Sequence, residues 1–414
     1  MKDLFAKCSE EGGYFSYFRM RGDRYFAMPV LESPPGRVMQ FQGKKMVQWV
    51  INDYLGLTAV PEIKEAAIEA AKKWGVYSPM GARILSGNTE YHVKLEKMLA
   101  EHADKEDAAL FNYGYMGVQG TTHSLIGKDD VIVIDKLSHA SMMDAAFATR
   151  QFIPFRHNDP ESLERALKRA RRLHEGGIMI MIEGVYGMTG DIADLPPIVE
   201  LKKKYGARIF MDDAHGHGTM GKGRGLGFHF GLQDEIDIYF GTFAKAYAAI
   251  GGFSAAPKEV CEYIRFNARS QVFAKSLPLV VVWTLIKTIE YLKAHPDRYD
   301  KMWENTHKLQ NGLKEAGFSL GKTQSPVTPV MVPAQDFETG MKFLHKMRDE
   351  KHILISGVMY PVVPKGVFLA RMIPTAAHTD EDIVVTIKAF KEVRDELGLK
   401  WAEHFEEEGH HHAI

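Results

Sequence analysis

The stretch Asp237-Ile-Tyr-Phe-Gly-Thr-Phe-Ala-Lys-Ala-Tyr247 decides how the rest of this chain is interpreted. Its apolar, β-favouring residues predict a strand that stops at Gly241 and presents Thr242 and Lys245 just beyond its end. A protonated lysine is a poor nucleophile, but apolar neighbours lower its pKa and let the amine form a Schiff base with an aldehyde. Lys245 is therefore the candidate reactive residue, although a lysine after a strand is more often a solvated loop residue.

A second apolar run, Ala207-Arg-Ile-Phe-Met-Asp-Asp-Ala-His-Gly-His217, predicts another short strand that ends in acidic residues. An acid at one strand end and a lysine at the next suit pyridoxal phosphate (PLP). The carboxylate keeps the pyridine nitrogen of this cofactor protonated, and the lysine binds the cofactor covalently. The run also admits another interpretation, the zinc site of a metal hydrolase, with the ligands Asp212, Asp213, His215 and His217.

Together these runs resemble the α-oxoamine synthases, PLP enzymes that join an amino acid to an acyl thioester with loss of carbon dioxide. The resemblance is strongest to the serine palmitoyltransferase members of that family and extends from about Gly12 to about Thr379. It rests on ordered matches at Asn52-Asp-Tyr-Leu-Gly-Leu57, His139-Ala-Ser141, His157-Asn-Asp159, Glu183-Gly-Val-Tyr-Gly-Met-Thr-Gly-Asp191, Asp212-Asp-Ala-His215, Gly241-Thr-Phe-Ala-Lys-Ala246 and Ala377-His-Thr379. The family implies an α/β fold of the aspartate-aminotransferase type (fold type I), with a mostly parallel sheet in a large domain and a smaller C-terminal α+β domain.

The resemblance implies catalytic roles for four residues. Lys245 would hold the cofactor and take the α-proton of the amino acid, and Asp212 would pair with the pyridine nitrogen. His139 would stack flat on the pyridine ring, and His215 would hydrogen-bond near the phenolic oxygen of the ring. A histidine after a strand is otherwise usually a hydrogen-bonded structural residue.

Further residues are expected to bind the cofactor. A strand, a glycine turn and a helix follow one another at Gly114 and Tyr115, so free backbone N–H groups at the helix N-terminus would form a phosphate seat. Such glycines could equally mark a tight turn; the resemblance places the cofactor phosphate there, with Thr242 as a further phosphate contact. Glu183, at another strand end, is expected in the same cofactor site.

The resemblance assigns the substrate carboxylate to Asn52 and Arg371, and a guanidinium group matches a carboxylate well. Two departures from the family pattern bear on the amino acid. Ala82 stands where serine palmitoyltransferases usually carry serine, and Ala274 replaces a phosphate-side serine next to an unusual Lys275. Lys275 is either a surface lysine or a cation that replaces lost hydroxyls or binds an anionic substrate group.

Serine with a long-chain acyl thioester, giving a 3-keto base of sphingolipid synthesis, is the first expectation for the reaction. Cysteate, the sulfonated amino acid of sulfonolipid synthesis, is the alternative that Ala82 and Lys275 motivate; glycine and alanine are less favoured. Coenzyme A and acyl carrier protein both remain open as acyl carriers. A plain PLP aminotransferase would share Lys245 and Asp212, whereas a noncatalytic partner subunit would normally lack Lys245.

The length and composition of the chain fit a globular enzyme of two domains. The chain has 414 residues, 45% of them hydrophobic and 25% charged, and single cores stop growing at about 250 to 300 residues. The predicted division is an N-terminal segment (1–57), a large PLP-binding domain (58–285) and a small C-terminal domain (286–414) that ends in a polar tail. The net charge of −1 gives no reason to expect nucleic acid.

Cysteine usage and the absence of targeting signals predict the cellular compartment of the protein. Cys8 and Cys261 are too few for a disulfide framework, so a reducing cytosol is compatible. The first residues lack a signal-peptide core, and the longest apolar run, 277–286, is too short to span a bilayer. We therefore expect a cytoplasmic protein, with peripheral contact at the inner face of the membrane where a long acyl chain is handled. The resemblance adds a homodimer whose site is built from both chains.

Overall fold

The computed structural model describes residues 3–9, 29–334, 336–359, 363 and 367–400. The C-terminal polar tail and much of the N-terminal segment lie outside these described residues. The α-helices are α1 (Ala6–Ser9), α2 (Pro61–Trp74), α3 (Glu90–Ala103), α4 (Gly114–Leu125), α5 (Ala140–Thr149), α6 (Pro160–Leu173), α7 (Leu195–Tyr205), α8 (Leu226–Phe230), α9 (Lys258–Asn267), α10 (Arg269–Val272), α11 (Leu279–Ala294), α12 (Asp297–Glu315), α13 (Phe337–His345) and α14 (Asp380–Leu397). The strands are β1 (Val38–Phe41), β2 (Lys44–Gln48), β3 (Asp107–Phe111), β4 (Val131–Asp135), β5 (Phe152–Phe155), β6 (Ile178–Glu183), β7 (Arg208–Asp212), β8 (Ile238–Thr242), β9 (Gly252–Ala256), β10 (Thr328–Met331), β11 (Ile353–Leu354), β12 (Ser356–Val358) and β13 (Leu369–Met372).

A seven-stranded sheet in the order β3-β9-β8-β7-β6-β4-β5 forms the centre of the large domain. Strands β5, β4, β6, β7 and β8 are parallel neighbours, and β9 runs antiparallel to both β8 and β3. The expected mostly parallel sheet is therefore present. Because β6, β7 and β8 run the same way, their carboxyl ends meet at one edge, where ligands bind in folds of this kind.

Helices cover both faces of this sheet, as the continuously apolar strands require. All five residues of β4 are buried, and its side chains alternate between two hydrophobic cores. Val131 and Val133 pack with residues of α3, α6, α7 and α11. Ile132 and Ile134 pack with residues of α4, α5 and α9 on the opposite face.

The C-terminal part has its own core, built on two three-stranded sheets, β10-β13-β12 and β1-β2-β11. In the second sheet β2 runs parallel to β11, with Ile353 opposite Val47. Strands from the predicted N-terminal segment thus pair with the small domain. The predicted domain limits at residues 57 and 285 stay a prediction.

Local signals set several helix boundaries. Pro61 occupies the first turn of α2, where its missing N–H is tolerated. Thr379 and Asp382 form a capping box at the start of α14. In the described part of the chain, none of the helices combines the length and apolarity needed to cross a bilayer.

Candidate active site

Three adjacent strands end in polar residues of the candidate site. Glu183, Asp212 and Thr242 are the last residues of β6, β7 and β8, and Glu183 lies opposite Asp212 in the strand register. All three side chains are buried. Parallel strand direction therefore brings together residues that lie far apart in the chain.

Lys245 lies in the turn that follows β8, where its carbonyl accepts a hydrogen bond from the Ala248 N–H at 2.9 Å. Burial lowers the pKa of its amine, and the positive charge of Arg371 lowers it further. The carboxylates of Asp212 and Glu183 act in the opposite direction. Lys245 is thus electrostatically coupled to both strand-end acids, and its burial favours a neutral, nucleophilic amine.

Asp212 and Glu183 differ in their surroundings. Burial raises the pKa of Asp212 to about 6, although a hydrogen bond from the Ala214 N–H at 3.1 Å and the charge of Lys245 both act to lower it. Burial raises the pKa of Glu183 well above its ordinary value, and the charge of Asp212 raises it further. Backbone N–H groups of His139 and Gly187 donate to Glu183. Asp212 is thus the acid with fewer protein donors.

Two histidines flank these acids. His139 is exposed at the start of α5, where its Nδ1 accepts a hydrogen bond from the Ser141 N–H at 3.2 Å. His215 is buried, with its Nδ1 2.7 Å from the Tyr54 hydroxyl oxygen. Burial and the nearby charges of Lys245 and other cations hold the pKa of His215 well below its usual value, so its ring is neutral. The exposure of His139 is compatible with stacking of a planar ligand on its ring.

The phosphate seat predicted at Gly114 lies beside Thr242. Gly114 begins α4, and no side chain caps this helix N-terminus. A Cβ atom added to Gly114 would lie 2.9 Å from Thr242 Oγ1, so the two residues approach each other too closely for a side chain at position 114. Tyr115 is 40% exposed and its hydroxyl donates to Asp144.

The predicted carboxylate-binding pair is also brought together. Arg371 is buried in β13 of the small domain, and its Nη2 donates to Asn52 Oδ1 at 3.3 Å. Its Nε donates to the Gly187 carbonyl at 2.5 Å. Because Gly187 follows β6, this hydrogen bond joins the small domain to the strand-end acids.

The segment around Ala82 is hydrogen-bonded to the segment around Lys275. The Gly81 carbonyl accepts a hydrogen bond from the Ser276 N–H at 2.8 Å, and the Lys275 carbonyl accepts one from Asn112 Nδ2 at 2.5 Å. The Lys275 side chain is exposed. Within the described ranges, no hydrogen bond or ion pair joins Ala82 or Lys275 to Lys245.

Comparison with known proteins identifies the family. The family model "Aminotransferase class I and II" matches residues 44–390. The chain is 45% identical to the Cysteate-C-fatty acyltransferase of Capnocytophaga ochracea over 96% of both chains. It is 35% identical to the Serine palmitoyltransferase of Bacteriovorax stolpii, over 90% of this chain and 88% of the relative. The solved Serine palmitoyltransferase of Sphingomonas wittichii superimposes with a TM-score of 0.88 at 30% identity, covering 96% of this chain and 99% of that one.

The chain belongs to the α-oxoamine synthases. This α-oxoamine synthase is a PLP-dependent acyltransferase with the fold-type-I architecture predicted for it. The predictions of family, fold, cofactor and reaction class are thereby confirmed.

The residues of this α-oxoamine synthase fit PLP by their chemistry. A lysine amine of lowered pKa suits an aldehyde, and Asp212, with its single described backbone donor, suits a protonated pyridine nitrogen. Gly114 lies at a helix N-terminus with the Thr242 hydroxyl close beside it, an arrangement that suits a phosphate group. Thr242 Oγ1 already donates to the Gly251 carbonyl at 3.0 Å, so its role as a phosphate donor stays a prediction.

The zinc interpretation gains no support from the described residues, among which no group of three or more His, Cys, Asp or Glu is placed to hold a metal ion. Asp213 accepts a hydrogen bond from the Leu226 N–H at 2.8 Å. His217 stacks on Tyr247 with ring centroids 4.5 Å apart. Both residues are thus engaged in packing behind the site. The histidine-rich tail lies outside the described residues.

Sequence reasoning missed two residues that the structure connects to the site. Tyr54 contacts His215, and Gly187 carries the carbonyl that accepts from Arg371. Tyr54 lies in the motif Asn52–Leu57, and Gly187 lies in the motif Glu183–Asp191. The sequence signal for each was therefore its position near Asn52 or Glu183 in the same motif.

Proposed function

We propose that this α-oxoamine synthase condenses cysteate with a long-chain acyl thioester, releasing carbon dioxide. The observation that carries the proposal is the 45% identity to a cysteate-C-fatty acyltransferase over 96% of both chains, against 35% for the serine palmitoyltransferase relative. Serine, the first expectation from the motifs, becomes the second candidate. A serine palmitoyltransferase structure that superimposes with a TM-score of 0.88 keeps it a specific alternative.

Four residues are proposed to act directly on the cofactor and the α-carbon. When bound, PLP supplies an electron sink for the negative charge that develops on the α-carbon of the amino acid. Lys245 would hold the cofactor through its Nζ atom, and the same atom would accept the α-proton of the amino acid. Asp212 would keep the pyridine nitrogen protonated. His139 would stack on the ring, and neutral His215, oriented by Tyr54, would hydrogen-bond near the phenolic oxygen.

Other residues are proposed to orient the cofactor and the amino acid. The N-terminus of α4 at Gly114 and Tyr115, together with Thr242, binds the phosphate. Glu183 supports the site through its hydrogen bonds from the backbone of the His139 and Gly187 loops. Arg371 and Asn52 hold the α-carboxylate, since the guanidinium group has donors beyond its bond to Gly187.

The sulfonate of cysteate requires a positive charge. The Lys275 side chain is exposed, and the Lys275 carbonyl is hydrogen-bonded to Asn112, which lies two residues before the phosphate seat at Gly114. Among the ion pairs of the described residues, Lys275 has no carboxylate partner. In a homodimer, this segment is proposed to contribute to the partner's site. Ala82 removes a hydroxyl that would recognise serine. A cytoplasmic location, peripheral membrane contact and the identity of the acyl carrier stay predictions.

The test supplies cofactor-saturated enzyme separately with cysteate, serine, alanine and glycine, each with palmitoyl-coenzyme A or palmitoyl-acyl carrier protein. Mass spectrometry identifies the products, and released carbon dioxide gives the rates. We expect kcat/KM for cysteate to exceed that for serine by at least about tenfold, a difference of about 1.4 kcal/mol. Condensation of serine but not of cysteate would overturn the proposal. A keto acid formed without thioester would indicate an aminotransferase.

Variants of Lys275 test the sulfonate contact. Lys275→Gln is expected to lower kcat/KM for cysteate by about tenfold or more, because a charge-assisted hydrogen bond is lost, while leaving the value for serine unchanged. Lys222→Gln, at an exposed turn away from the strand ends, is the matched control. An equal loss for both amino acids in Lys275→Gln would remove Lys275 from substrate selection.

A further inference from the structure

His157 is buried between two aspartates outside the set of residues assigned to the reaction. Its Nδ1 lies 3.0 Å from Asp135 Oδ2, and its Nε2 contacts Asp191. The side chains of His157, Asp135 and Asp191 are only 6%, 1% and 9% exposed. The ring of Tyr186 packs against the imidazole edge-on, with centroids 4.3 Å apart. The histidine therefore bridges two carboxylates that are shielded from water.

The two aspartates belong to two loops that form the site. Asp135 ends β4 and begins the loop to His139. Asp191 ends the loop that follows Glu183, here named the junction loop (residues 184–191). The Glu183 carboxylate accepts from the backbone of both loops, at His139 and at Gly187. The same two loops are thus joined twice, once by Glu183 and once by His157.

The junction loop also connects the large domain to the small domain. Its Gly187 carbonyl accepts the hydrogen bond from Arg371 Nε at 2.5 Å. Its Gly190 carbonyl accepts from Ser325 Oγ at 2.7 Å and from the Gln324 N–H at 3.0 Å. Inside the loop, the Tyr186 N–H donates to the Asp191 carbonyl at 2.9 Å, so movement of Asp191 would displace the whole turn.

We propose that His157 is a positioning residue for amino-acid binding, which fixes the junction loop through Asp191 and thereby the Gly187 carbonyl that holds Arg371. This inference rests on the proposed role of Arg371 as the carboxylate-binding residue. It assigns a task to His157-Asn-Asp159, a motif that the proposed reaction leaves unused.

The charges around His157 support this role. Burial alone would lower the pKa of His157, but the hydrogen bonds and charges of Asp135 and Asp191 raise it to about 9. The groups that face the ring are these two carboxylates and Tyr186, while Lys322 lines the adjoining cavity. The imidazole is therefore a cation at neutral pH. Its removal would leave two buried carboxylates with neutral donors such as Leu137 N–H and Thr189 Oγ1 but without their cationic partner, which is strongly unfavourable.

The test compares cofactor-saturated wild type with His157→Gln, and with His229→Gln in α8 as the matched control. Calorimetry without thioester measures the Kd of the amino acid that the enzyme accepts, and steady-state kinetics give KM for both substrates. We expect His157→Gln to raise the Kd and KM of the amino acid by about tenfold or more, with KM for the thioester changed less than about twofold. A lowered Tm with an unchanged amino-acid Kd would overturn the proposal, since a merely structural role predicts that result.

A second variant, which combines His157→Gln with Asp191→Asn, addresses the case in which His157→Gln alone misfolds. It removes the cation together with one of its carboxylates, so fewer buried charges are left uncompensated. The same rise in the amino-acid Kd is expected, and an unchanged Kd in this folded variant would also overturn the proposal.

Arg371→Lys separates failure of this inference from failure of the proposed function. If Arg371→Lys leaves the amino-acid Kd unchanged, the proposed carboxylate site is wrong. If Arg371→Lys raises the Kd and His157→Gln does not, only the inference about His157 is wrong. In the variant that combines Arg371→Lys with His157→Gln, the second substitution is expected to raise the amino-acid Kd by less than about a further twofold, because both act on one contact. Multiplicative effects would contradict the proposed coupling.

Discussion

Glu183 and Asp212 are register partners at the ends of adjacent parallel strands, yet their surroundings differ. Glu183 accepts hydrogen bonds from the backbone of two site-forming loops. Asp212 accepts one from Ala214 and is influenced by the charge of Lys245. This division leaves Asp212 as the carboxylate available to a cationic ring nitrogen, with Glu183 holding the loops around it.

Asp212→Asn is expected to lower kcat by about 100- to 10,000-fold, the range typical for loss of a group that controls a proton. An amide cannot keep the pyridine nitrogen protonated. Turnover of cofactor-saturated enzyme measures the effect, and Asp234→Asn, on a 3₁₀ turn before β8, serves as the control. Near-normal turnover in Asp212→Asn would exclude the proposed pairing.

Lys245→Ala is expected to reduce kcat by at least about 1,000-fold, because the covalent anchor and the proposed proton acceptor are lost together. Borohydride treatment of the loaded wild type should attach the cofactor to the peptide that contains Lys245. Lys222→Ala should behave as wild type in both measurements. Retained condensation by Lys245→Ala would contradict the mechanism.

Gly114→Ala should weaken PLP binding by about tenfold or more, because its Cβ atom would lie 2.9 Å from Thr242 Oγ1 in the proposed phosphate seat. The Kd of PLP, measured by fluorescence titration of cofactor-free protein, reports this effect. Gly127→Ala, near an exposed loop, is the control. Unchanged PLP affinity in Gly114→Ala would place the phosphate elsewhere.

The charge on His157 predicts a specific pH dependence of stability. Its pKa is raised from 6.5 to about 9 in the folded chain. Its stabilising contribution, on the order of 3 kcal/mol, is therefore fully present below about pH 6.5 and is lost as pH rises through about 9. Urea unfolding of cofactor-free protein between pH 6.5 and 9.5 measures the decline, which should be smaller in His157→Gln. Parallel pH profiles for the two proteins would refute a charged His157.

Much of the candidate site was predictable because its residues follow short apolar strands. Lys245, Asp212 and Glu183 stand at or just beyond strand ends, and parallel strands place such ends at one edge. Arg371 and Asn52 are 319 positions apart, and their pairing was implied only by the family resemblance.

Other relationships had no local signal. Strand β2 pairs with β11, over 300 residues later, because the N-terminal strands complete a sheet of the small domain. The bridge at His157 depends on three segments of the chain, and the motif around it gave no indication of its two carboxylate partners.

Local sequence was sufficient to predict the strands and the candidate lysine and acid at their ends, because hydrophobic patterning and residue chemistry act over a few neighbouring positions. Only the folded chain decided which strand-end acid has fewer protein donors, which carbonyl holds Arg371 and which histidine is charged. Those properties arise from burial and from hydrogen bonds between distant segments, and neither exists until the sheet and the two cores have formed.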